Sequence, residues 1–132
     1  MSTIFSNGNL RVQKSPIEGL GVFANRDFTK GEIVLKWNPK KQLDVDGVKN
    51  IAESERRYLS RVGNKYVVLD SPAKYVNHSC TPNTRTVGYS DVATRDITKN
   101  EEITAQYQTE GVPVDFECRC GSKDCRREYR GF

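Results

Sequence analysis

Tyr75-Val76-Asn77-His78-Ser79-Cys80-Thr81-Pro82-Asn83 is the stretch from which the chain is best read. His78 is the only histidine, so a multi-histidine metal centre is excluded. Asn77 offers hydrogen-bond donors and an acceptor on one short side chain. His78 beside Ser79 resembles two-thirds of a hydrolase triad, but no placed carboxylate and no nucleophile-elbow motif accompany the pair, which argues against that chemistry. Cys80 is one of four cysteines, and its three companions lie far downstream.

Those companions crowd one short run, Cys118-Arg119-Cys120-Gly121-Ser122-Lys123-Asp124-Cys125. The N-terminal residues Met1 to Leu10 carry no basic region followed by an apolar one, so no secretory signal is read and an intracellular, reducing compartment is expected. Metal binding or free thiols are then favoured over disulfides. Three thiolates from a tight loop need a fourth to close a tetrahedral structural Zn²⁺ site, and Cys80 is the one left. A site built from Cys80, Cys118, Cys120 and Cys125 would tie a short tail to a loop 38 residues upstream. Four unrelated thiols, or a cluster that dimerises through metal, are the alternatives. Arg119, Lys123, Arg126, Arg127 and Arg130 crowd the same tail, where they would offset the thiolate charge.

A chain of 132 residues fits one domain. Hydrophobic residues make up 36% and charged residues 29%, a globular composition with no stretch able to span a bilayer. The net charge of +4 is uneven, with +5 in residues 1–66 and −1 in 67–132. Carboxylates are interspersed with the basic residues instead of leaving one basic patch, so nucleic acid is disfavoured as a partner.

Short apolar runs bounded by turn residues predict a mostly β architecture, with strands at 10–13, 21–24, 32–37, 65–69, 91–93 and 102–107. Val48, Ile51, Ala52, Tyr58, Leu59 and Val62 have helical spacing. With Asp46 as a cap and Gly63-Asn64 as a stop, they predict one supporting helix. A seven-residue pattern occurs twice, as Arg26-Asp27-Phe28-Thr29-Lys30-Gly31-Glu32 and Arg95-Asp96-Ile97-Thr98-Lys99-Asn100-Glu101, with five identities. Gly31 and Asn100 are residue types that accept positive φ, so both copies should form the same tight turn before a strand. From Gln108 to Phe116 the apolar pattern stops in a hinge-like, Gly- and Pro-containing stretch.

Four segments in order resemble the SET-domain protein lysine methyltransferases. They are Glu18-Gly19-Leu20-Gly21-Val22-Phe23-Ala24, the Asn77-His78-Ser79-Cys80 stretch, Glu101-Glu102-Ile103-Thr104-Ala105-Gln106-Tyr107, and the C-terminal cysteine spacing. The resemblance implies a SET-like fold of several short twisted sheets with a zinc-bound C-terminal tail, divided as a SET domain at 8–107 and a post-SET tail at 108–132. It implies an S-adenosylmethionine-dependent protein-lysine N-methyltransferase acting on a histone or other protein. Such an enzyme would work in the cytoplasm of a prokaryote or reach the nucleus of a eukaryote. Gly19, Leu20, Gly21, Tyr75, Asn77 and His78 are then expected at the cofactor, Tyr107 as the catalytic tyrosine, and one structural Zn²⁺ on the four cysteines. A catalytically silent module that binds a lysine-bearing peptide is the alternative.

The chain also departs from the family's pattern. Ala105 stands two residues before Tyr107 where an aromatic is usual, and Thr86 where some relatives carry a pocket tyrosine. Both are small, which predicts a roomy lysine channel that admits an already methylated amine. Trp37, where relatives often place a tyrosine, is a candidate channel wall or a core residue. Tyr66, a further channel candidate, and Tyr58 are aromatics expected near the cofactor side.

Overall fold

The structure is a computed structural model and describes residues 3–56 and 58–105, together with the backbone of 116–117 and 128–129. Five strands form the main sheet: β1 (Thr3–Ser6), β2 (Leu10–Lys14), β3 (Leu20–Ala24), and, from later in the chain, β8 (Asn77–His78) and β11 (Glu102–Ala105). Their order is β1-β2-β3-β11-β8, with β11 antiparallel to β3 and parallel to β8. β4 (Ile33–Lys36), β9 (Thr84–Val87) and β10 (Ser90–Ala93) make a second sheet in the order β4-β10-β9. β5 (Gln42–Leu43), β6 (Leu59–Val62) and β7 (Lys65–Val68) make a third, in the order β5-β7-β6. β12 (Phe116–Glu117) pairs with β13 (Glu128–Tyr129). Pairing of β1 with β2 brings residues N-terminal of position 8 into the main sheet.

The six strands expected from apolar runs correspond to β2, β3, β4, β7, β10 and β11, the last described only as far as Ala105. The side-chain period of two does the work: Leu10 and Val12 turn inward while Arg11 and Gln13 bond to each other on the other face. Val12, Val22, Ala24, Ile97 and Ile103 are at the centre of the main core. No helix among the described residues is long and apolar enough to cross a membrane.

The single helix expected from 46 to 62 does not form. In its place are α1 (Val45–Lys49), capped by Asp44 rather than Asp46, then α2 (Glu53–Arg56), then strand β6. Gly63, at φ +63°, turns the β6–β7 hairpin instead of stopping a helix. The helical spacing reflects a shared destination, since Val48 and Leu59 pack with Tyr66 in a second cluster, but pairing with β7 decides the local conformation.

The duplicated heptapeptide folds as two matching turns that clasp each other. Asn100 and Gly31 both have positive φ, +79° and +89°. Phe28 and Ile97 exchange backbone bonds of 2.8 Å. Asp27 Oδ1 accepts from the Lys99 N–H at 2.7 Å and Asp96 Oδ1 from the Lys30 N–H at 2.9 Å. Gly31 N–H donates to the Ala93 carbonyl and Asn100 N–H to that of Ala24, so each turn closes the strand that leads into the other. Arg26–Glu32 and Arg95–Glu101 ion pairs brace each copy.

Candidate active site

β11 runs between β3 and β8, and the site forms where their ends meet. Thr104 and Ala105 pair with Asn77 and His78, and the Ser79 N–H continues the ladder to the Ala105 carbonyl at 3.0 Å. Asn83 anchors the far end of the motif: its side chain donates to the Glu102 carbonyl at 2.8 Å and accepts from the Thr104 N–H at 2.9 Å. The two asparagines of the opening stretch therefore have different work. Asn83 is 2% exposed and imitates a strand partner, whereas Asn77 lines a cavity.

That cavity has a volume of about 260 Å³ and is walled by Glu18, Gly19, Leu20, Tyr58, Lys74, Tyr75 and Asn77. Gly19 lies in its rim at φ +41°, with open space where a side chain would start, so conformation is what calls for glycine there. Tyr75 ends a 3₁₀ turn, Ala73–Tyr75, and meets Tyr58 edge-on with ring centres 6.4 Å apart. The Lys74 ammonium lies over both rings, 4.7 Å from that of Tyr58 and 5.2 Å from that of Tyr75.

Asn77 Nδ2 donates to the carbonyls of Glu18 and Leu20 at 3.1 and 3.0 Å and to the Glu102 carboxylate at 3.0 Å. The Ser15 hydroxyl donates to the same carboxylate at 2.8 Å. Burial pushes the Glu102 carboxyl above its ordinary range, against the hydrogen bonds from Asn77 and Ser15. His78 is buried, which lowers it to about 4, so the imidazole is neutral at physiological pH. Its Nε2 lies 3.4 Å from Cys80 Sγ, while the Ser79 hydroxyl accepts from the Thr81 N–H. Among the described residues, these contacts do not make a hydrolase dyad.

Of the six residues expected at a cofactor, Gly19, Leu20, Tyr75 and Asn77 line the cavity, and Tyr58 joins them. Gly21 and His78 are not in its wall. Gly21 belongs to β3, and a side chain there would run into the Glu102 carboxylate and come within 2.9 Å of Ser15 Cβ, so its close approach is to the protein itself. Of the channel candidates, Trp37 is 9% exposed and its indole donates to Asp91 at 3.0 Å. Thr86 pairs with Asp91 in register and is exposed, and Ala105 ends β11 half-buried. Tyr66 stands apart, 2% exposed in the second cluster with Val48 and Leu59, so in this structure it is a core residue. Tyr107, Cys118, Cys120 and Cys125 lie outside the described residues; Cys80 is half-buried, and no three metal-ligating side chains converge among the described residues.

Four participants carry little or no mark in the sequence. Lys74 and Glu18 are signalled only by adjacency to Tyr75 and Gly19. Ser15 has no local signal, and Glu102, although it stands in the Glu101-Glu102-Ile103-Thr104 segment, carries nothing there that ties it to a residue 87 positions away.

The SET-domain family model matches residues 19–108. Histone-lysine N-methyltransferase 2D of Homo sapiens is 31% identical over 142 residues, covering 90% of this chain and 2% of its own length. Histone-lysine N-methyltransferase ASHH3 of Arabidopsis thaliana is 27% identical, covering 83% of this chain and 35% of its own length. The chain thus spans between a small fraction and about a third of these curated relatives. A crystallised Plasmodium falciparum protein, described as a candidate histone methyltransferase, shares the fold with a TM-score of 0.61 at 23% identity, over 78% of this chain and 96% of that one. The family match takes in every strand that frames the cavity from Leu20 onward, and this chain belongs to the SET-domain family.

Proposed function

We propose that the chain is an S-adenosylmethionine-dependent protein-lysine N-methyltransferase. The observation that carries this reading is the convergence of Gly19, Leu20, Tyr75 and Asn77 on one cavity in a SET-family chain. The names of the relatives, histone-lysine N-methyltransferases, support a protein substrate, histone or non-histone.

The residues suit the cofactor's chemistry. Lys74 offers a cation to its carboxylate, Asn77 an amide oxygen to its amino group, and Leu20, Tyr58 and Tyr75 apolar faces to the rest. When bound, the cofactor supplies an electrophilic methyl group on a sulfonium. The target lysine must meet it neutral, although its reference pKa is about 10.4. Burial beside a positive sulfonium favours the neutral amine. The Tyr107 hydroxyl is assigned the task of orienting the amine, and Trp37, Thr86 and Ala105 are assigned to a roomy channel for it. Cys80, Cys118, Cys120 and Cys125 are proposed to hold one structural Zn²⁺, a reading supported by their spacing.

The deciding experiment is transfer of labelled methyl groups from S-adenosylmethionine to histones and to a whole-cell extract, with site identification by mass spectrometry. Turnover lost in Tyr107→Phe supports the enzyme. Cofactor or peptide binding without turnover in the unaltered chain would overturn it in favour of a silent binding module. One equivalent of zinc in the purified protein, lost on Cys120→Ser, is expected from the metal reading; a metal-free active enzyme would refute it.

A further inference from the structure

Glu102 has no place in the chemistry above, yet it occupies the centre of the site's framework. No ion pair to it is present among the described residues; the neighbours that satisfy it are the Ser15 hydroxyl and the Asn77 amide. Room for the carboxylate exists because residue 21 is glycine. Keeping a partly buried carboxylate without a cation is costly unless the arrangement needs it.

What it does is visible in the Asn77 amide. The nitrogen is surrounded by three acceptors, the carbonyls of Glu18 and Leu20 and the Glu102 carboxylate. Rotating the amide by half a turn would set its oxygen against all three, and the carboxylate makes that arrangement the most repulsive. The amide is therefore locked with nitrogen inward, which leaves Oδ1 as its acceptor for an N–H or O–H group of a ligand. The same nitrogen holds the Glu18–Leu20 rim against β8. We propose that Glu102 is a positioning residue: seated by Ser15 and Gly21, it fixes the orientation of Asn77 and thereby the rim of the ligand site. The identity of the ligand rests on the cofactor reading above, whereas the clamp is a property of the ligand-free chain.

The test combines binding of S-adenosylhomocysteine by calorimetry with amide hydrogen exchange on the ligand-free protein. Glu102→Ala is expected to weaken binding about tenfold or more, the scale of a hydrogen bond to a charged group. Glu102→Gln, whose oxygen can still accept from Asn77, should restore most of the affinity. Because Glu102 acts through Asn77, the double variant Asn77→Ala/Glu102→Ala should bind no more weakly than Asn77→Ala alone. Exchange of the 18–21 amides should rise in Glu102→Ala while the Lys30 and Lys99 amides stay protected. Should Glu102→Ala fail to fold, Ser15→Ala should weaken binding in the same non-additive way. Affinity unchanged in Glu102→Ala and Ser15→Ala, full additivity with Asn77→Ala, or unaltered exchange would overturn the inference. An unaltered chain that does not bind S-adenosylhomocysteine, together with faster 18–21 exchange in Glu102→Ala, would refute the cofactor reading and support the clamp.

Discussion

Glu101 and Glu102 are neighbours in the chain and belong to two different regions of the molecule. The pleat of the strand sends their side chains to opposite faces. Glu101 joins Arg95 at 3.0 Å in the exposed clasp of twin turns, while Glu102 turns toward Asn77 and Ser15 beneath the cavity. The clasp is redundant: the aspartate and backbone bonds that join the two copies come in matching pairs, and no single side chain carries it. The site is not. One amide nitrogen takes three acceptors, and one glycine makes room for the carboxylate. Redundancy suits a structural joint, and single points of dependence suit a site that must present one atom in one orientation.

That contrast can be broken most sharply at Asn77. Its replacement by alanine should lower methyl transfer by about a hundredfold or more, the scale of a misplaced reacting group, while Asp27→Ala in the clasp leaves turnover within about twofold. Equal losses in a turnover assay would erase the distinction. Ile103, fully buried on the strand that serves both regions, should cost roughly 2–5 kcal/mol on truncation to alanine, measured by urea denaturation.

Asp91 sharpens the comparison through pH. Burial raises its carboxyl from 3.8 to about 6, against the hydrogen bond from Trp37. A pKa higher in the folded than in the unfolded chain means a contribution to stability that is full below about 4 and lost as pH rises through about 6. Asp91→Asn should therefore stabilise the protein by about 3 kcal/mol at pH 7.5. That gain should disappear at pH 4, and an equal gain at both pH values would show that the charge is not its source. Within the clasp, Asp27→Ala and Asp96→Ala should each cost about 1 kcal/mol and match each other. Unequal losses in parallel denaturation curves would show that the two copies are not energetically equivalent. The smallest effect expected is a gain of about 0.5 kcal/mol for Asn100→Gly, since the turn already demands positive φ.

Much of the fold was legible because its signals are local. Short apolar runs bounded by turn residues located six strands, and Gly31 with Asn100 announced positive φ by residue type alone. The helix expected between 46 and 62 shows where local pattern fails. Val48 and Leu59 reach one cluster, as helical spacing implies, but through a helical turn and a separate strand. In the site, Gly19, Leu20, Tyr75 and Asn77 stood in recognisable segments. Tyr66 lies in the second cluster, because its strand pairs on both edges and carries the ring into the core.

By itself, the sequence determined the β character, the duplicated turn, the absence of a multi-histidine metal centre and the residues around which a site should be sought. Those are properties of residue type and spacing, decided within a few positions along the chain. Only the tertiary structure decided that the two turns clasp each other, that Gly21 makes room for Glu102 rather than forming the cavity wall, and that Ser15, Asn77 and Glu102 act together. Such choices depend on β11 entering between β3 and β8, and long-range strand pairing of this kind leaves no periodic mark in the residues that it brings together.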